Sequence, residues 1–306
     1  MAAVNQLIAS PAPPHPAIVP LTVRRAALGA DGIFRSQDVP DTVAAESPLT
    51  LRVEGRVLAV VMRTPGHDRE LAAGFLLTEG VIQSARDLFE ISLCPSLSCA
   101  VAGTSEQSAD TPAPDPGDSL DVLLTRSASF NPEQLTRHVF TSSSCGICSK
   151  TSLTTALPPE AILTPGAVPL ITAAALASLP DQLRAAQPTF ATTGGLHGCA
   201  WWDAARQSLV PGLVFEDVGR HNALDKLLGH ALLTQQLPLS HGVLLLSGRI
   251  SFELVQKAHA ARIPLIAAIG APSSLAIEYA TAAGITLCGF VRAARFNLYC
   301  HPGRVE

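Results

Sequence analysis

The feature that most restricts this chain is the alternation in its C-terminal half. Val243–Leu246 is a short all-apolar run, Phe252–Ala261 has helical spacing, and Pro264–Ile269 is a strand. Leu275–Ala283 is a helix ended by Gly284, and Ile285–Val291 and Phe296–Tyr299 are closing strands. Strands alternating with helices of about ten residues call for a layered α/β sheet. Upstream, Thr172–Ala186 reads as a helix broken or ended near Pro180, and Phe190–Thr193 as a strand leading into Gly194-Gly195. Ala200–Asp203 and Leu209–Phe215 read as a strand pair. His221–Leu233 is a helix whose apolar face carries Leu224, Leu227, Leu228, Ala231 and Leu232. The expected fold class is therefore α/β, with a layered core over residues 151–306.

A smaller α+β domain is expected over residues 21–140. Leu49–Val53 and Val57–Met62 flank Glu54-Gly55, a hairpin signal. Arg69–Thr78 is helical and stops at Gly80; Phe89–Leu93 and Leu120–Leu124 are strands, and a short helix runs from Asn131 to Val139. Residues 1–20 hold five prolines from Pro11 to Pro20 and read as a disordered leader. Residues 103–119 are rich in Ser, Asp, Pro and Gly and read as an exposed insertion. Residues 141–150 are expected to form a mobile loop between the domains.

Composition narrows the function classes. Of 306 residues, 47% are apolar, enough for a sizeable core, and 15% are charged, well below the common share of about 25%. So low a charge content points to surface hidden in a subunit interface or under a large ligand. Lys and Arg number 21 against 25 Asp and Glu, so no broad basic field exists to hold nucleic acid. The uncharged run Ala161–Pro180 is interrupted by Pro165, Gly166 and Pro169, a poor membrane span. No basic region precedes an apolar one at the N-terminus, so no secretory signal is read. Seven scattered cysteines fit a cytoplasmic protein with reduced thiols.

Cys145-Gly146-Ile147-Cys148 is the sharpest chemical feature. The thiolate is the reactive form of cysteine. A C-x-x-C pair lowers one thiol's pKa and lets the second resolve an intermediate formed on the first. Lys150 adds a positive charge that favours a thiolate. Four readings compete. A thioredoxin-like redox pair is usually preceded by an aromatic, and here Ser144 precedes. Structural zinc needs two further ligands, and Cys94 and Cys99 are too widely spaced to be a second C-x-x-C. Two inert cysteines would be buried, which the Ser-rich segment disfavours. A thiol that carries sulfur is the reading preferred, and no metal site is expected.

Three polar loops follow predicted strands. Gly219-Arg220-His221 opens one helix, Ser247-Gly248-Arg249 ends the apolar strand Val243–Leu246, and Ala271-Pro272-Ser273-Ser274 follows the next strand. In open α/β sheets, ligands sit beyond the strand C-termini, and a polar-Gly-Arg triplet there suits a phosphate or carboxylate. Thr192–Cys199 contains Gly194-Gly195, a weak anion-loop signal that is as often a plain turn. Cys199 and Cys288 read as core, Cys300 as exposed. Of the neighbours Trp201 and Trp202, one reads as core and the other as a packing surface for a partner or a ring system.

Taken together these residues resemble the FdhD family, the formate dehydrogenase accessory sulfurtransferases. The resemblance runs from about Leu21 to His301. It rests on 46-ESPLTLRVEG-55, 62-MRTP-65, 71-LAAGFLLTEGV-81, 143-SSCGIC-148, 193-TGGLH-197, 216-EDVGRHNALDK-226, 247-SGRISFE-253 and 271-APSSLA-276. It implies a cytidine-deaminase-like layered core without the deaminase zinc ligands. It also implies a sulfur carrier between a cysteine desulfurase and the molybdenum bis(molybdopterin guanine dinucleotide) cofactor of formate dehydrogenase. On this resemblance Cys145 holds the persulfide and Cys148 is its partner in release or protection. The family's cofactor-binding stretch falls on Phe296, Asn297, Leu298, Tyr299, Cys300 and His301; the strand-end reading adds Arg220, His221, Ser247, Gly248 and Arg249. Ser149-Lys150 departs from the family's usual glycine after the second cysteine. The low charge and large cofactor point to a homodimer. The rival functions are a cofactor chaperone whose cysteines are incidental and a cytoplasmic dithiol oxidoreductase.

Overall fold

The computed structural model describes residues 16–94, 118–125, 162–164 and 169–306. The C-x-x-C segment, the helix expected over Asn131–Val139, residues 1–15 and the insertion through residue 117 lie outside them. The insertion was expected to reach 119, but Asp118 is buried and opens a strand.

The first elements were not anticipated. Ile18–Leu28 (β1) and Phe34–Ala44 (β2) pair antiparallel over eleven residues each as a separate two-stranded ribbon. Ile18–Pro20, expected in the leader, belong to this ribbon. Both of its faces are largely exposed, so apolar and polar residues do not alternate and the usual strand signal is absent.

The smaller sheet is four-stranded: Ser47–Val53 (β3), Arg56–Arg63 (β4), Leu88–Cys94 (β5) and Asp118–Leu124 (β6), in the order β4-β3-β6-β5. Glu54 and Gly55 both have positive φ, 51° and 73°, as a two-residue turn matching strand twist requires. Helix α1, Asp68–Thr78, buries Leu71, Ala72 and Leu76 in the same core as Leu49, Leu51 and Leu120 of the sheet.

The larger sheet has six strands. Its elements run in chain order: Ala173–Ala185 (α2), Pro188–Thr193 (α3), His197–Asp203 (β7), Ser208–Asp217 (β8) and Arg220–Leu233 (α4). Gly242–Leu246 (β9), Phe252–Ala260 (α5), Leu265–Ala268 (β10), Ser274–Ala283 (α6), Thr286–Arg292 (β11) and Arg295–Cys300 (β12) follow. The spatial order is β12-β11-β10-β9-β7-β8, with β9, β10 and β11 parallel. This is the layered α/β arrangement expected. Period-2 geometry divides each strand between two cores. Leu244 and Leu246 join the α4–α5–α6 side, whereas Val243 and Leu245 join the α2 side with Leu176, Leu179 and Leu183.

Three local expectations are corrected, and the Gly194-Gly195 stretch is the turn already considered for it. Phe190–Thr193 is helical: Pro188 sits at its start, and the Glu216 carboxylate accepts from the Thr189 and Phe190 amides at 3.0 and 2.7 Å. Gly194 is its left-handed cap, with φ 67°, and so serves a turn. Helix α2 runs through Pro180, because the fully buried Leu176, Leu179 and Leu183 pin it on both sides. Trp201 and Trp202 do point to opposite faces, but both are core, 3% and 1% exposed, one in each layer.

The two sheets meet where α1 crosses α4. A Cβ on Gly74 would collide with the Asp225 carbonyl, and one on Gly229 with the Glu70 carbonyl. Beside this crossing Lys257 Nζ donates to both oxygens of buried Asp225 at 2.9 Å and to Thr78 Oγ1 at 2.8 Å, and Thr78 Oγ1 donates to Asp225 at 3.1 Å. Gly229→Ala forces the helices apart and is expected to cost about 1–3 kcal/mol. Urea denaturation checks this. A change below about 0.5 kcal/mol, the usual scale of a neutral surface change, would show that the contact is not constrained.

Candidate functional site

The site is built at one edge of the larger sheet, where strands of common direction end and three helices begin. Antiparallel β7 starts where β9 ends. Ser247 N donates to Gly198 O at 2.9 Å, and Gly198 N donates to Ser247 Oγ at 2.8 Å. Gly270, just past β10, donates to Gly248 O at 3.0 Å, and Phe290 of β11 donates to Gly270 O at 3.1 Å. A Cβ on Gly270 would sit 2.6 Å from Gly248 O, so the two loops nest only because this residue is glycine. Ile250 N donates to Ala271 O and Ser273 N to Ile250 O, both at 3.0 Å, which locks the loops together. Helices α4, α5 and α6 all start here and aim their positive dipole ends at the same edge.

Charged side chains enter from these loops. Arg220 is the first residue of α4; its Nε is buried and has no hydrogen-bond partner among the described residues. Arg249 is exposed, and none of the described hydrogen bonds or ion pairs involves it. His197 Nδ1 lies 3.3 Å from where a Cβ on Gly248 would be. Burial and then the charge of Arg220 hold the His197 pKa below the usual histidine value; Arg249 adds to this and Asp217 opposes it. Both arginines thus act on the space His197 occupies. His221 lies 3.2 Å from Ser251 Oγ and 3.3 Å from Glu253. Burial first, then Arg220, push its pKa down to about 4 against the pull of Glu253. It is neutral at pH 7. The edge therefore presents two uncompensated guanidinium groups, neutral imidazoles and backbone amides, an arrangement suited to a multiply charged anion.

The loop carrying Arg220 and His221 is held from the other sheet. Thr64, just past β4, donates its amide to Asp217 Oδ2 at 3.1 Å. Its hydroxyl accepts from Val218 N at 3.1 Å and its carbonyl from Lys226 Nζ at 2.8 Å. Asn222 Nδ2 donates to Met62 O at 2.8 Å and to Asp217 Oδ1 at 3.0 Å. Asp217 and Lys226, both buried, pair at 2.7 Å. A local capping role for Asp217 is present, since Gly219 N donates to Oδ1 at 2.8 Å, but it is the smaller part of what this residue does.

Of the residues singled out by sequence, Arg220, His221, Ser247, Gly248 and Arg249 come together at this edge. The stretch Phe296–His301 is divided. Tyr299 reaches the edge: its ring and Pro272 both crowd Gly289, at 3.1 and 2.9 Å from the Cβ position. Asn297 lies 3.5 Å from the Tyr299 hydroxyl, and Leu298 is 37% exposed. Phe296 packs into the core under α2. Cys300 and His301 lie at the opposite end of the sheet, where Cys300 Sγ donates to Ile285 O at 3.2 Å and His301 Nε2 approaches Thr281 O at 2.9 Å. β12 runs down from the edge antiparallel to β11, Asn297 opposite Gly289 and Cys300 opposite Leu287, so the stretch leads away from the edge and only its Gly289-facing part lines it. Sequence reasoning quoted His197 and the Thr64 segment without giving either a role. No local signal marks Thr64, because its partners are more than 150 positions away.

The described cysteines are poor nucleophiles. Cys199 and Cys288 are fully buried, as expected. Burial drives the Cys199 thiol far up and the Cys288 thiol up to about 12. Cys300, expected to be exposed, is half-buried under its bond to Ile285, and burial raises its pKa too. Cys145 and Cys148 lie outside the described residues. Among the described residues no group of three His, Cys, Asp or Glu side chains is placed to hold a metal, and no helix is long and apolar enough to cross a membrane.

Comparison with known proteins gives a consistent result. A family model described as FdhD/NarQ matches residues 44–306. A sulfur carrier protein FdhD from Streptomyces coelicolor is 47% identical over 270 residues, covering 87% of this chain and 89% of its own. One from Sulfolobus acidocaldarius is 38% identical over 282 residues, covering 90% and 95%. A crystal structure assigned to a formate dehydrogenase accessory protein of Desulfotalea psychrophila superposes with a TM-score of 0.67 at 25% identity, covering 95% of this chain and all of that one.

The geometry makes two predictions. Arg249→Ala is expected to leave the urea midpoint unchanged while weakening inorganic pyrophosphate binding about 10-fold, read by titration calorimetry. The His221 pKa falls from 6.5 to about 4 on folding. The unfolded chain therefore takes up this proton first, so stability present above pH 6.5 is lost as pH falls toward 4. Urea midpoints between pH 4 and 8 should show this slope, and His221→Gln should flatten it.

Proposed function

The chain belongs to the FdhD/NarQ family, and on that premise we propose that it is a sulfur carrier for formate dehydrogenase. In this reading a cysteine desulfurase supplies sulfur in the cytoplasm, Cys145 carries it as a persulfide, and the molybdenum bis(molybdopterin guanine dinucleotide) cofactor receives it. The observation that carries the reading is the pair of uncompensated arginines, Arg220 and Arg249, set among strand-end amides. A guanine dinucleotide brings a pyrophosphate, and bidentate guanidinium contacts at a helix start are the chemistry that recognises one. The raised pKa values of Cys199, Cys288 and Cys300 further support assigning the reactive thiol to the C-x-x-C pair.

The sulfur transfer is two thiol exchanges followed by reduction from outside the chain. The Cys145 thiolate attacks the outer sulfur of the desulfurase persulfide, and the desulfurase cysteine leaves as a thiolate. Sulfur reaches the acceptor as sulfide when the Cys148 thiolate attacks Cys145 Sγ. The bond to the outer sulfur breaks and takes its electron pair with it. The two cysteines are thereby oxidised to a disulfide, which a cellular dithiol must reopen before the next cycle.

Incubation with a cysteine desulfurase and cysteine is expected to place one added sulfur atom on Cys145, located by peptide mass spectrometry. Cys145→Ala should lose that adduct and fail to support formate dehydrogenase maturation. Maturation sustained by a Cys145→Ala/Cys148→Ala double variant would overturn sulfur transfer and leave cofactor delivery as the function.

A further inference from the structure

His221 enters the site as a neutral imidazole, and which ring nitrogen bears the proton decides what it can do there. Its Nε2 lies 3.3 Å from Glu253 Oε2 and 3.2 Å from Ser251 Oγ. Ser251 immediately precedes α5, yet its hydroxyl does not cap that helix. Glu253 stands in the first turn of α5, where a helix N-terminus favours negative charge. A carboxylate only accepts hydrogen bonds. A bare Nε2 would set its lone pair against that carboxylate, whereas a protonated Nε2 donates to it. The serine hydroxyl can donate or accept, so it follows whichever choice the carboxylate makes. Nε2 therefore carries the proton and Nδ1 keeps a lone pair.

That lone pair is open. The described partners of His221 all meet Nε2, and Nδ1 is not among the buried polar atoms left without a partner. The charged groups around the ring are Arg220 on its own helix and Glu253 and Lys257 on α5. Burial first, then Arg220, with Lys257 adding, hold the pKa at about 4 against Glu253. A ring that holds a proton so weakly is a poor general base for a thiol near pH 7, but it still accepts a hydrogen bond. Nor does a lone pair suit a phosphate oxygen, which is itself an acceptor. The pyrophosphate suits Arg220, Arg249 and the backbone amides, all of them donors.

We propose that Glu253 fixes His221 as the Nε2–H tautomer, and that the bare Nδ1 accepts a hydrogen bond from a donor of the ligand beside its pyrophosphate, a ribose hydroxyl or a base N–H. The inference rests on the guanine dinucleotide reading of this site. In it His221 touches the ligand, and Glu253 is a positioning residue that acts through His221. The arrangement makes the edge selective: an esterified diphosphate with a neutral donor satisfies Nδ1, and a bare inorganic anion does not.

The tautomer is read on the free protein by long-range 1H–15N correlation with its nine histidines labelled, the His221 signals being those lost in His221→Phe. Wild type is expected to show a protonated Nε2 and a bare Nδ1. A protonated Nδ1 would overturn the proposal without reference to how any variant folds. Glu253→Gln, whose amide donates as well as accepts, should mix the tautomers. It should weaken guanosine diphosphate binding at least about 2-fold, because only part of the population is then competent. In titration calorimetry His221→Phe should weaken guanosine diphosphate about 10-fold and leave inorganic pyrophosphate unchanged. Equal losses for both probes, the mark of a merely structural histidine, would overturn the proposal, as would no loss for either. The 2′,3′-dideoxy form of guanosine diphosphate identifies the donor. If its binding is indifferent to His221→Phe, a ribose hydroxyl is the donor; if it stays sensitive, a base N–H is, and either result supports the inference. A wild type that binds neither guanosine diphosphate nor pyrophosphate would overturn the dinucleotide reading and the ligand half of this inference together. One that binds pyrophosphate but fails the His221 comparison would overturn this inference alone.

Discussion

Everything in this molecule is referred to the crossing of α1 and α4. Two glycines, Gly74 and Gly229, let the backbones of these helices approach so closely that each fills the space a side chain of the other would need. Helix α1 belongs to the smaller sheet's core, whereas α4 serves both cores, with Leu232 and Leu233 on one and Leu224 and Leu227 on the other. Once the helices are fixed, Asp225 faces Lys257 and Lys226 reaches Thr64. These buried ions lose most of their mutual attraction to desolvation. What they supply is geometry: any other docking of the two sheets would strand a charge. The loop from Asp217 to Asn222 hangs on this frame, and with it Arg220 and His221.

The larger sheet was legible because its strands are short, apolar and separated by helices with recognisable ends. Where the sequence reading failed, long-range contacts decided the local conformation. Phe190-Ala191-Thr192-Thr193 has a strand-like composition, and only a carboxylate 26 positions downstream makes it the start of a helix. Pro180 should end a helix, but three fully buried leucines hold the turn on either side of it. The β1–β2 ribbon gave no signal because a strand exposed on both faces has no apolar face to betray it.

The site was half legible for a similar reason. The rule that ligands gather beyond strand C-termini found Ser247, Gly248, Arg249, Arg220 and His221, since each follows a strand that could be recognised. The stretch taken from family resemblance was placed by position in the chain. The structure shows that the strand runs away from the edge, from Asn297 opposite Gly289 to Cys300 opposite Leu287, and that His301 ends beside Thr281 of α6, so the stretch does not converge on one place. Contributions that cross between sheets, such as Thr64, were out of reach of any local motif.

Charge placement connects the fold to the chemistry. The chain is poor in charge, and among the described residues most of its buried ions are paired, Arg63 with Asp68 and Asp118, Lys226 with Asp217, Lys257 with Asp225, while buried Arg304 is fully occupied by the Gly284 and Thr164 carbonyls and Thr286 Oγ1. Against that habit, Arg220 and Arg249 stand without an acidic partner among the described residues, one with its Nε shielded from water. Partial desolvation without a partner is unfavourable in the free protein. It is also what makes an anion bind well, because the ligand meets donors already stripped of water and already oriented. The neutral imidazoles of His197 and His221 belong to the same arrangement: two more full positive charges beside Arg220 would raise the cost of folding this edge without adding direction to the site. The fold therefore sets two guanidinium groups that lack both an acidic partner and any described hydrogen bond at the one sheet edge where three helices begin.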